Sequence, residues 1–570
     1  MKRISKPFNI VFLLISLLTA FRLNARPLTS VEEIYLHIDR NKYIAGEDIW
    51  FSIYTIERET EKLSDRSVIA YVELLNPWNT PVAQSRVQLS AGRGEGSFSI
   101  PDSVSSGTYT VRAYTNWMKN FLPYNCYMHN IDIYNPFKGS DFVRKVAPAG
   151  SEDIRLINSP NKNDFTVNVR ADSIYCRREK VFLNISISNN TLPQAGISEM
   201  SISVAPVEVA DTCKWMDYLM ISDTVPQRYN FENDGHFLSG LIKYRESNMS
   251  DSSRFLYMSI QGKVAEFKYA RIDTSGRFTF VLPVDNKFRN LILQPEHATN
   301  NMSLEIEPSF PWILPASYSF KEPVTDSQLV VLSGLSFNYQ AAKIYGTKSK
   351  KEAETNDIIN QKSRRFYGIP EMEIILDDYI RLPSMQEVFF ELVPGVILRS
   401  RKSGYEIKIT NPLTGMYYDE SPLVMVDGVI INDLTVLVDL DPEIVEKVEV
   451  VKTPYLIGDL ILHGIVNVIT RSGDFSDVTM PDYAVILPYR VIDKPSLFTA
   501  PDYSVGQTRL TRIPDLRNTL YWNPSVKTNN DGEAEIEFWT SDLPGRYIIS
   551  ILGISGTGEI VSLHKSFRVY

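Results

Sequence analysis

The sequence predicts a mainly β, multidomain protein in which several β-sandwiches stand in tandem with one small α+β domain. Three observations carry that prediction. Apolar and polar residues alternate on either side of short turns, as around Gly46, Gly107, Asp273 to Gly276 and Asn530 to Gly532. At 570 residues the chain is long enough for about four domains, and a composition of 44% hydrophobic and 22% charged residues is that of folded modules. Finally, SPLVMVDGVIINDL from Ser421 sets Asp427-Gly428 between two apolar runs ahead of a helix signal, a mixed pattern unlike the rest.

In chain order, Lys2, Arg3 and Lys6 precede the apolar run FNIVFLLISLLTAF, and Ala25 offers a small residue for cleavage. Residues 1–25 are therefore expected to be an export signal, too short for the ~20 residues of a comfortable membrane span. No Cys follows at the cleavage point, so a lipid anchor is not expected there. The expected location is the periplasm or the outer-membrane-associated envelope, peripheral to the membrane rather than spanning it. A net charge of -9 with scattered Lys and Arg argues against nucleic acid as a partner. Of Cys126, Cys176 and Cys213 at least one cannot pair within the chain; a Cys176 to Cys213 bridge and small apolar residues packed in strands both remain open.

EIYLHIDRNKYIAGEDIWFSIYTI reads as two strands around Gly46, and GTYTVRAYTNWM as a strand with Tyr109, Val111 and Ala113 on one face. These open a sandwich over 28–137. DFTVNVRADSIYCRREKVFLNISISNN and EMSISVAPVE repeat the grammar over 150–225. A third β-rich module covers 226–325, with a hairpin expected at Asp273 to Gly276 and its independence from the second sandwich left open. KSKKEAETNDIINQKSRR marks a polar linker over 340–365. The α+β domain is expected over 366–475. There Met385, Val388, Phe389 and Leu392 fall at helix spacing after Pro383-Ser384, and Asp441-Pro442 is expected to start a second helix with Ile444, Val445 and Val448 on its apolar face. Gly458 and Gly464 flank a tight passage into a closing strand. Residues 476–570 read as a linker and further sandwich strands.

Asp39-Arg40, Tyr43, Gly46-Glu47, Trp50-Phe51 and the GTYTVRAYTNW strand resemble the second macroglobulin domain of the α2-macroglobulin family over about 110 residues. The resemblance implies an immunoglobulin-like sandwich, and the second and C-terminal stretches resemble macroglobulin-type sandwiches too. The third module is similar to the small β-sandwich of carboxypeptidase regulatory regions. DGV at 427–429, IVEKVEVVK at 444–452 and GIVNVITRSG at 464–473 resemble the plug domain of TonB-dependent receptors, with Asp427, Gly428, Gly458 and Gly464 as its structural residues. In that family the plug fills a 22-stranded barrel, which needs roughly 220 residues in strands. Only the 95 residues from Ser476 to Tyr570 follow, so no barrel is expected in this chain. The mosaic as a whole is similar to exported envelope proteins of Bacteroidetes.

No catalytic constellation emerges. The six histidines are scattered without an HExxH motif, no G-x-S-x-G elbow is present, and the two S-x-x-K matches are of a kind chance supplies. Asp377-Asp378 precedes a turn and Asp441 is accounted for as a helix cap. No Cys lies in the C-G-E-Q context of thioester macroglobulins. No cofactor, metal or catalytic residue is assigned. Tyr114, Trp117, Phe121 and Tyr124 are candidates for an aromatic contact patch, with core packing at the sandwich end as the other reading. The triplets DSV 102–104, DSI 172–174 and DTV 223–225 resemble O-glycosylation sites of Bacteroidetes envelope proteins. The function expected is a non-catalytic, exported binding or scaffolding protein that docks through its plug-like domain to an outer-membrane partner or to another copy. An accessory role in TonB-dependent uptake and non-covalent protease inhibition are the alternatives.

Overall fold

The computed structural model describes residues 32–570 apart from 61, 124, 139–140, 147–164, 190–198, 212–227, 245–253, 297–301, 315–316, 346–349, 353–364, 403, 476–479, 481–482, 495, 505–509 and 555–559. The expected signal at 1–25 and the DTV triplet lie outside these residues, as does Cys213. The chain is mainly β, built of three sandwiches and one α+β module.

In the first sandwich, alternating apolar residues from two sheets meet in one core. Glu32–Ile38, Asp48–Glu57, Lys62–Leu63 and Arg93–Ser99 form one sheet; Lys42–Ile44, Ile69–Leu75, Pro81–Gln88, Gly107–Thr115, Tyr127–Tyr134 and Asp141–Val146 belong to the other. Ile34, Phe51, Val72, Val111 and Ile131 fill the space between them. A strand from far downstream, Tyr318–Pro323, pairs antiparallel with Asp141–Val146, so this part of the expected third module belongs to the first sandwich instead.

Strands from the stretches 150–225 and 476–570, expected as separate units, come together in one sandwich. Phe165–Arg170 and Lys180–Asn189 pair with Glu533–Trp539, while Glu199–Pro206 lies between Gly545–Ile554 and Tyr521–Lys527. The physical reason is visible in Glu199–Pro206, whose six inner residues are all buried. A strand whose backbone is buried needs a hydrogen-bonded neighbour along each edge, and both neighbours come from more than 300 positions downstream.

Strands between 228 and 306, completed by Val485–Arg490, form a third sandwich inserted between Glu199–Pro206 and Tyr521–Lys527 of the second. Its sheets are His236–Tyr244 with Arg277–Leu282 and Met302–Ile306, and Phe255–Ile260 with Glu266–Arg271, Phe288–Pro295 and Val485–Arg490. Asp273 makes the expected tight turn, its Oδ1 accepting from the Ser275 and Arg277 amides at 2.8 and 2.9 Å. The flanking strands enter opposite sheets, however, so the turn is a crossover and not a hairpin.

The α+β module is in turn inserted before Val485–Arg490. Its sheet runs Met372–Ile375, Val445–Val451, Ile465–Thr470, Leu423–Val426, Val429–Ile430. Helix Met385–Leu392 packs on it through Met385, Val388 and Phe389, and Ser384 caps the helix by accepting from Glu387 N at 3.3 Å. The helix expected after Asp441-Pro442 is a single turn, Pro442–Ile444; Asp441 does accept from Glu443 N at 2.9 Å, but strand Val445–Val451 follows at once. A register shift between Val445 and Lys447 explains the misreading. The bulge puts Val445 and Val448 on one face three positions apart, which is helix spacing produced by a strand.

The expected linker at 340–365 begins inside a 20-residue helix, Asp326–Tyr345. That helix rests on the first sandwich through Leu335, against Ile44, Tyr134 and Phe142. Four residues of the macroglobulin-like signature, Asp39, Arg40, Tyr43 and Glu47, are buried beside it. Arg40 Nη1 meets Glu47 Oε2 at 3.0 Å and Arg40 Nε donates to Thr519 Oγ1 at 2.9 Å; Thr519 donates to Asp39 Oδ2 at 2.5 Å. Asn518 Nδ2 donates to Glu47 Oε1 at 2.7 Å while its Oδ1 accepts from Asn338 of the helix at 2.9 Å. The signature thus joins the first sandwich to the second and to the helix.

Candidate binding surface

The α+β module begins its chemistry at the Asp427-Gly428 turn. Both residues have positive φ, 46° and 76°, the backbone a two-residue hairpin requires. The Asp427 carboxylate is fully buried and accepts from Thr470 N at 2.7 Å, Thr470 Oγ1 at 2.6 Å and Phe475 N at 3.0 Å. It ties the hairpin to the end of the closing strand. The turn itself sits against the third sandwich: Asp427 O accepts from Gly262 N at 2.9 Å, and a Cβ on Gly428 would lie 3.1 Å from Ala265 Cα. Gly458 repeats the arrangement, since a Cβ there would stand 2.3 Å from Tyr269 Oη, which donates to Asp459 Oδ1 at 2.6 Å. Gly464 turns inside the module, against Ile409 and Val451.

Around these turns Phe255, Tyr257, Ala265 and Phe267 of the third sandwich share an apolar cluster with Met425, Ile430, Leu460 and Ile465. The face bearing the signature residues Asp427, Gly428 and Gly458 is therefore covered by the chain's own third sandwich.

Elsewhere the module presents apolar side chains to solvent. The turn following strand Gly404–Ile409 is held by its own hydrogen bonds: Asn411 N to Met416 O at 2.8 Å, Gly415 N to Asn411 O at 2.9 Å and Leu413 N to Asn411 Oδ1 at 2.9 Å. Its base is anchored by Thr410 N to Gly395 O at 2.8 Å and by Tyr418 Oη to Lys452 O at 3.2 Å. At the tip Leu413 and Met416 are 90% and 68% exposed. Phe390, on the outer side of helix Met385–Leu392, is 84% exposed. Apolar side chains held in solvent on a hydrogen-bonded turn give up little conformational freedom when a partner covers them. The sequence reading missed them, although Asn411-Pro412 and Thr414-Gly415 are turn signals around Leu413.

Of the two readings of the aromatic residues from Tyr114 to Phe121, contact patch or core packing, the structure gives packing. Tyr114 is buried, stacked on Tyr71 at 5.7 Å with its hydroxyl donating to Glu73 at 3.0 Å. Trp117 is buried and stacked on Phe231 at 4.4 Å, Phe121 is half-buried edge-on to Trp117, and Tyr124 lies outside the described residues. These rings seal the seam between the first sandwich and the segment entering the third. Exposed aromatics occur instead at Trp78, Trp312, Tyr318 and Phe320.

The same seam holds a chain of titratable groups. His236 Nδ1 lies 2.9 Å from Glu232 Oε1 and Nε2 lies 2.5 Å from Tyr489 Oη, while Tyr71 donates to Glu232 and Lys119 sits 3.8 Å from the Tyr71 ring centre. Burial lowers the His236 pKa and pulls the Lys119 ammonium down to about 8. Glu232, His236, Tyr71 and Lys119 are all buried in the seam. Asp377 is held by Arg471 at 2.6 and 2.9 Å, which keeps its carboxyl below the usual range. Cys126 is buried and free, and Cys176 is exposed and free. Ser103 and Ser173 of the DSV and DSI triplets are exposed. Among the described residues no group of three His, Cys, Asp or Glu side chains is arranged to hold a metal ion.

These features define a multidomain, mainly β protein of immunoglobulin-like sandwiches carrying an inserted α+β module. No family model matches the chain, and no curated protein matches it. Among solved structures it is similar to Escherichia coli alpha-2-macroglobulin activated by porcine elastase, at 9% identity and a TM-score of 0.25, covering 95% of this chain and 44% of that one. The native conformation of E. coli alpha-2-macroglobulin gives 9% identity and 0.25 over 95% and 40% of the two chains. Salmonella alpha-2-macroglobulin reacted with methylamine gives 10% and 0.24 over 94% and 39%. The chain spans less than half the length of these proteins, and at such scores the likeness carries no argument about activity.

Proposed function

We propose that this chain is a non-catalytic, exported binding or scaffolding protein of the cell envelope, whose sandwiches hold the α+β module toward an outer-membrane partner. The observation that carries the reading is the Asn411–Tyr418 turn, which keeps Leu413 and Met416 in solvent on a hydrogen-bonded frame anchored to the module's core. The plug-like sequence signature supports a partner in the outer membrane. Because the Asp427-Gly428 face is covered internally, docking runs through the turn and the Phe390 side of the helix.

The test is cross-linking of the full chain in native envelopes, comparing wild type with the Leu413→Asp, Met416→Asp double variant. Both side chains are exposed, so melting should be unchanged within about 0.5 kcal/mol. Loss of a specific cross-linked outer-membrane protein in the variant is the expected result. Recovery of the same partner in equal yield, or of free monomer alone from wild type, overturns the proposal.

A further inference from the structure

Helix Asp326–Tyr345 rests on the first sandwich and turns an apolar side to solvent. Leu335, Ser336, Asn338 and Ala341 are its buried residues, and Leu335 packs with Ile44, Tyr134 and Phe142. At 3.6 residues per turn the opposite side carries Val330, Phe337 and Ile344, each seven positions from the next and together spread over only about 40° of the helix. These three are 73%, 67% and 77% exposed, and Leu329 and Tyr345 beside them are about half exposed.

Charge is missing where a solvated helix would carry it. Between Ser327 and Ala342 there is no Asp, Glu, Lys or Arg; the charged residues of the helix are Asp326 at its start and Lys343 near its end. An exposed helix face is ordinarily polar, so about four turns without a charge, lined by Val, Phe and Ile, are the pattern of a face that is covered. The apolar surface continues beyond the helix. Tyr318 and Phe320, also about half exposed, alternate with Glu322 on the sheet face that carries Phe142, the face on which the helix rests.

The stripe is matched to itself about Phe337. Counting outward, Val330 and Ile344 stand seven positions away, Leu329 and Tyr345 eight, and the small Ser333 and Ala341 four. Two copies laid antiparallel with Phe337 at the axis therefore set Val330 against Ile344, Leu329 against Tyr345 and Ser333 against Ala341. Ser333 and Gly334, one turn before Phe337, leave room for the ring of the other copy, since a Cβ on Gly334 would meet nothing within 4 Å. Charge selects the direction. In the antiparallel pair the Asp326 end of each helix lies along the Lys343 end of the other and the helix dipoles oppose, whereas a parallel pair sets Asp326 beside Asp326 and aligns the dipoles.

We propose that this chain forms a two-fold dimer by antiparallel packing of Asp326–Tyr345 from two copies, with Phe337 at the axis. One patch used twice is the commonest form of homo-oligomeric contact. Val330 to Ile344 spans about 21 Å, and a helix pair of that length covers on the order of 1,000 Å² in total, at the lower limit for a specific interface. The dimer is accordingly weak, with a dissociation constant of about 10–100 µM. This surface is separate from the Leu413–Met416 turn, and either reading can fail without the other.

The test is sedimentation velocity of the full chain from about 1 to 300 µM, over which the wild-type mass should rise from monomer toward dimer. Val330→Glu and Ile344→Lys both fall at exposed positions, so thermal melting should not move. Each alone sets a charge against an apolar side chain of the other copy and should weaken the dimer by about tenfold or more. Combined in one chain, the two substitutions bring opposite charges together twice across the axis and should restore most of the loss, which a parallel arrangement would not allow. Wild type that stays monomeric to about 300 µM overturns the proposal. So does a dimer indifferent to both single substitutions, or a combined variant that associates no better than the singles.

Discussion

Replacing Asp427 by Ala removes the carboxylate that joins the hairpin of the α+β module to its closing strand. The side chain is fully buried and accepts two backbone amides, Thr470 N and Phe475 N, and one hydroxyl, Thr470 Oγ1. The hydroxyl keeps other partners, since Ser472 Oγ is 3.0 Å away and Gly473 N donates to it at 3.0 Å. The two amides do not, and each buried donor left unsatisfied costs about 1–3 kcal/mol. Alanine at φ of 46° adds about 1 kcal/mol of backbone strain. Part of this is offset because a buried carboxylate no longer has to be desolvated. The net expectation is a loss of about 3–5 kcal/mol for Asp427→Ala. Asp427→Asn keeps one acceptor oxygen and tolerates the left-handed backbone, so about 1–2 kcal/mol is expected. In a chain of several modules a single unfolding free energy is poorly defined, so the assay is hydrogen exchange at Thr470, Phe475 and the strand Ile465–Thr470. If Asp427→Ala lowers the opening free energy there by less than about 1 kcal/mol, the carboxylate is not the hub of the module and the reasoning fails.

Gly458→Ala should loosen the α+β module from the third sandwich, because the new Cβ would collide with Tyr269 Oη at 2.3 Å; adding Tyr269→Phe should restore part of the loss, and a double variant no better than the single would refute the contact. His37, buried with Nδ1 2.7 Å from Ser201 Oγ, has its pKa lowered by burial to about 4. Between the ordinary value near 6.5 and that value the unfolded chain binds a proton that the folded chain refuses, so this contribution is complete above pH 6.5, falls on acidification and is gone near pH 4. The loss is about 3 kcal/mol over that window. His37→Gln should flatten the slope of stability against pH there, and an unchanged slope would remove His37 as its source.

Local features were legible in the sequence because local residues determine them. Positive φ at Asp427 and Gly428, the Ser384 cap and the alternation of Tyr109, Val111 and Ala113 all follow from residue type and period. What the sequence concealed is pairing. Nothing in EMSISVAPVE announces that its two neighbours lie beyond residue 520, and the alternation of Ser201 and Ser203 with Met200, Ile202 and Val204 hides that both of its faces are buried. The helix Asp326–Tyr345 was obscured by the narrowness of its buried face, where Leu335 and Ala341 are the buried apolar residues and Val330, Phe337 and Ile344 remain exposed. At the candidate surfaces the aromatic run left two readings open, because rings that fill a seam between modules, as Tyr114 and Trp117 do, have the same sequence pattern as an exposed patch, while Leu413 and Met416 were marked only by ordinary turn residues.

The nesting of modules has a mechanical consequence. A module at the end of a chain is tethered once and can swing, whereas the third sandwich is inserted in the second, and the α+β module enters and leaves beside it, so each is held by two chain crossings. The seams then fix orientation further. An apolar seam tolerates sliding, but the Asp39–Arg40–Thr519 and Glu47–Asn518–Asn338 contacts are directional and buried, and a small displacement would strand a charge or an amide without a partner. A surface carried on such a frame loses little conformational freedom when a partner binds, so more of the contact energy appears as affinity. The macroglobulin-like signature thus serves, in this chain, to hold the first and second sandwiches in one relative position.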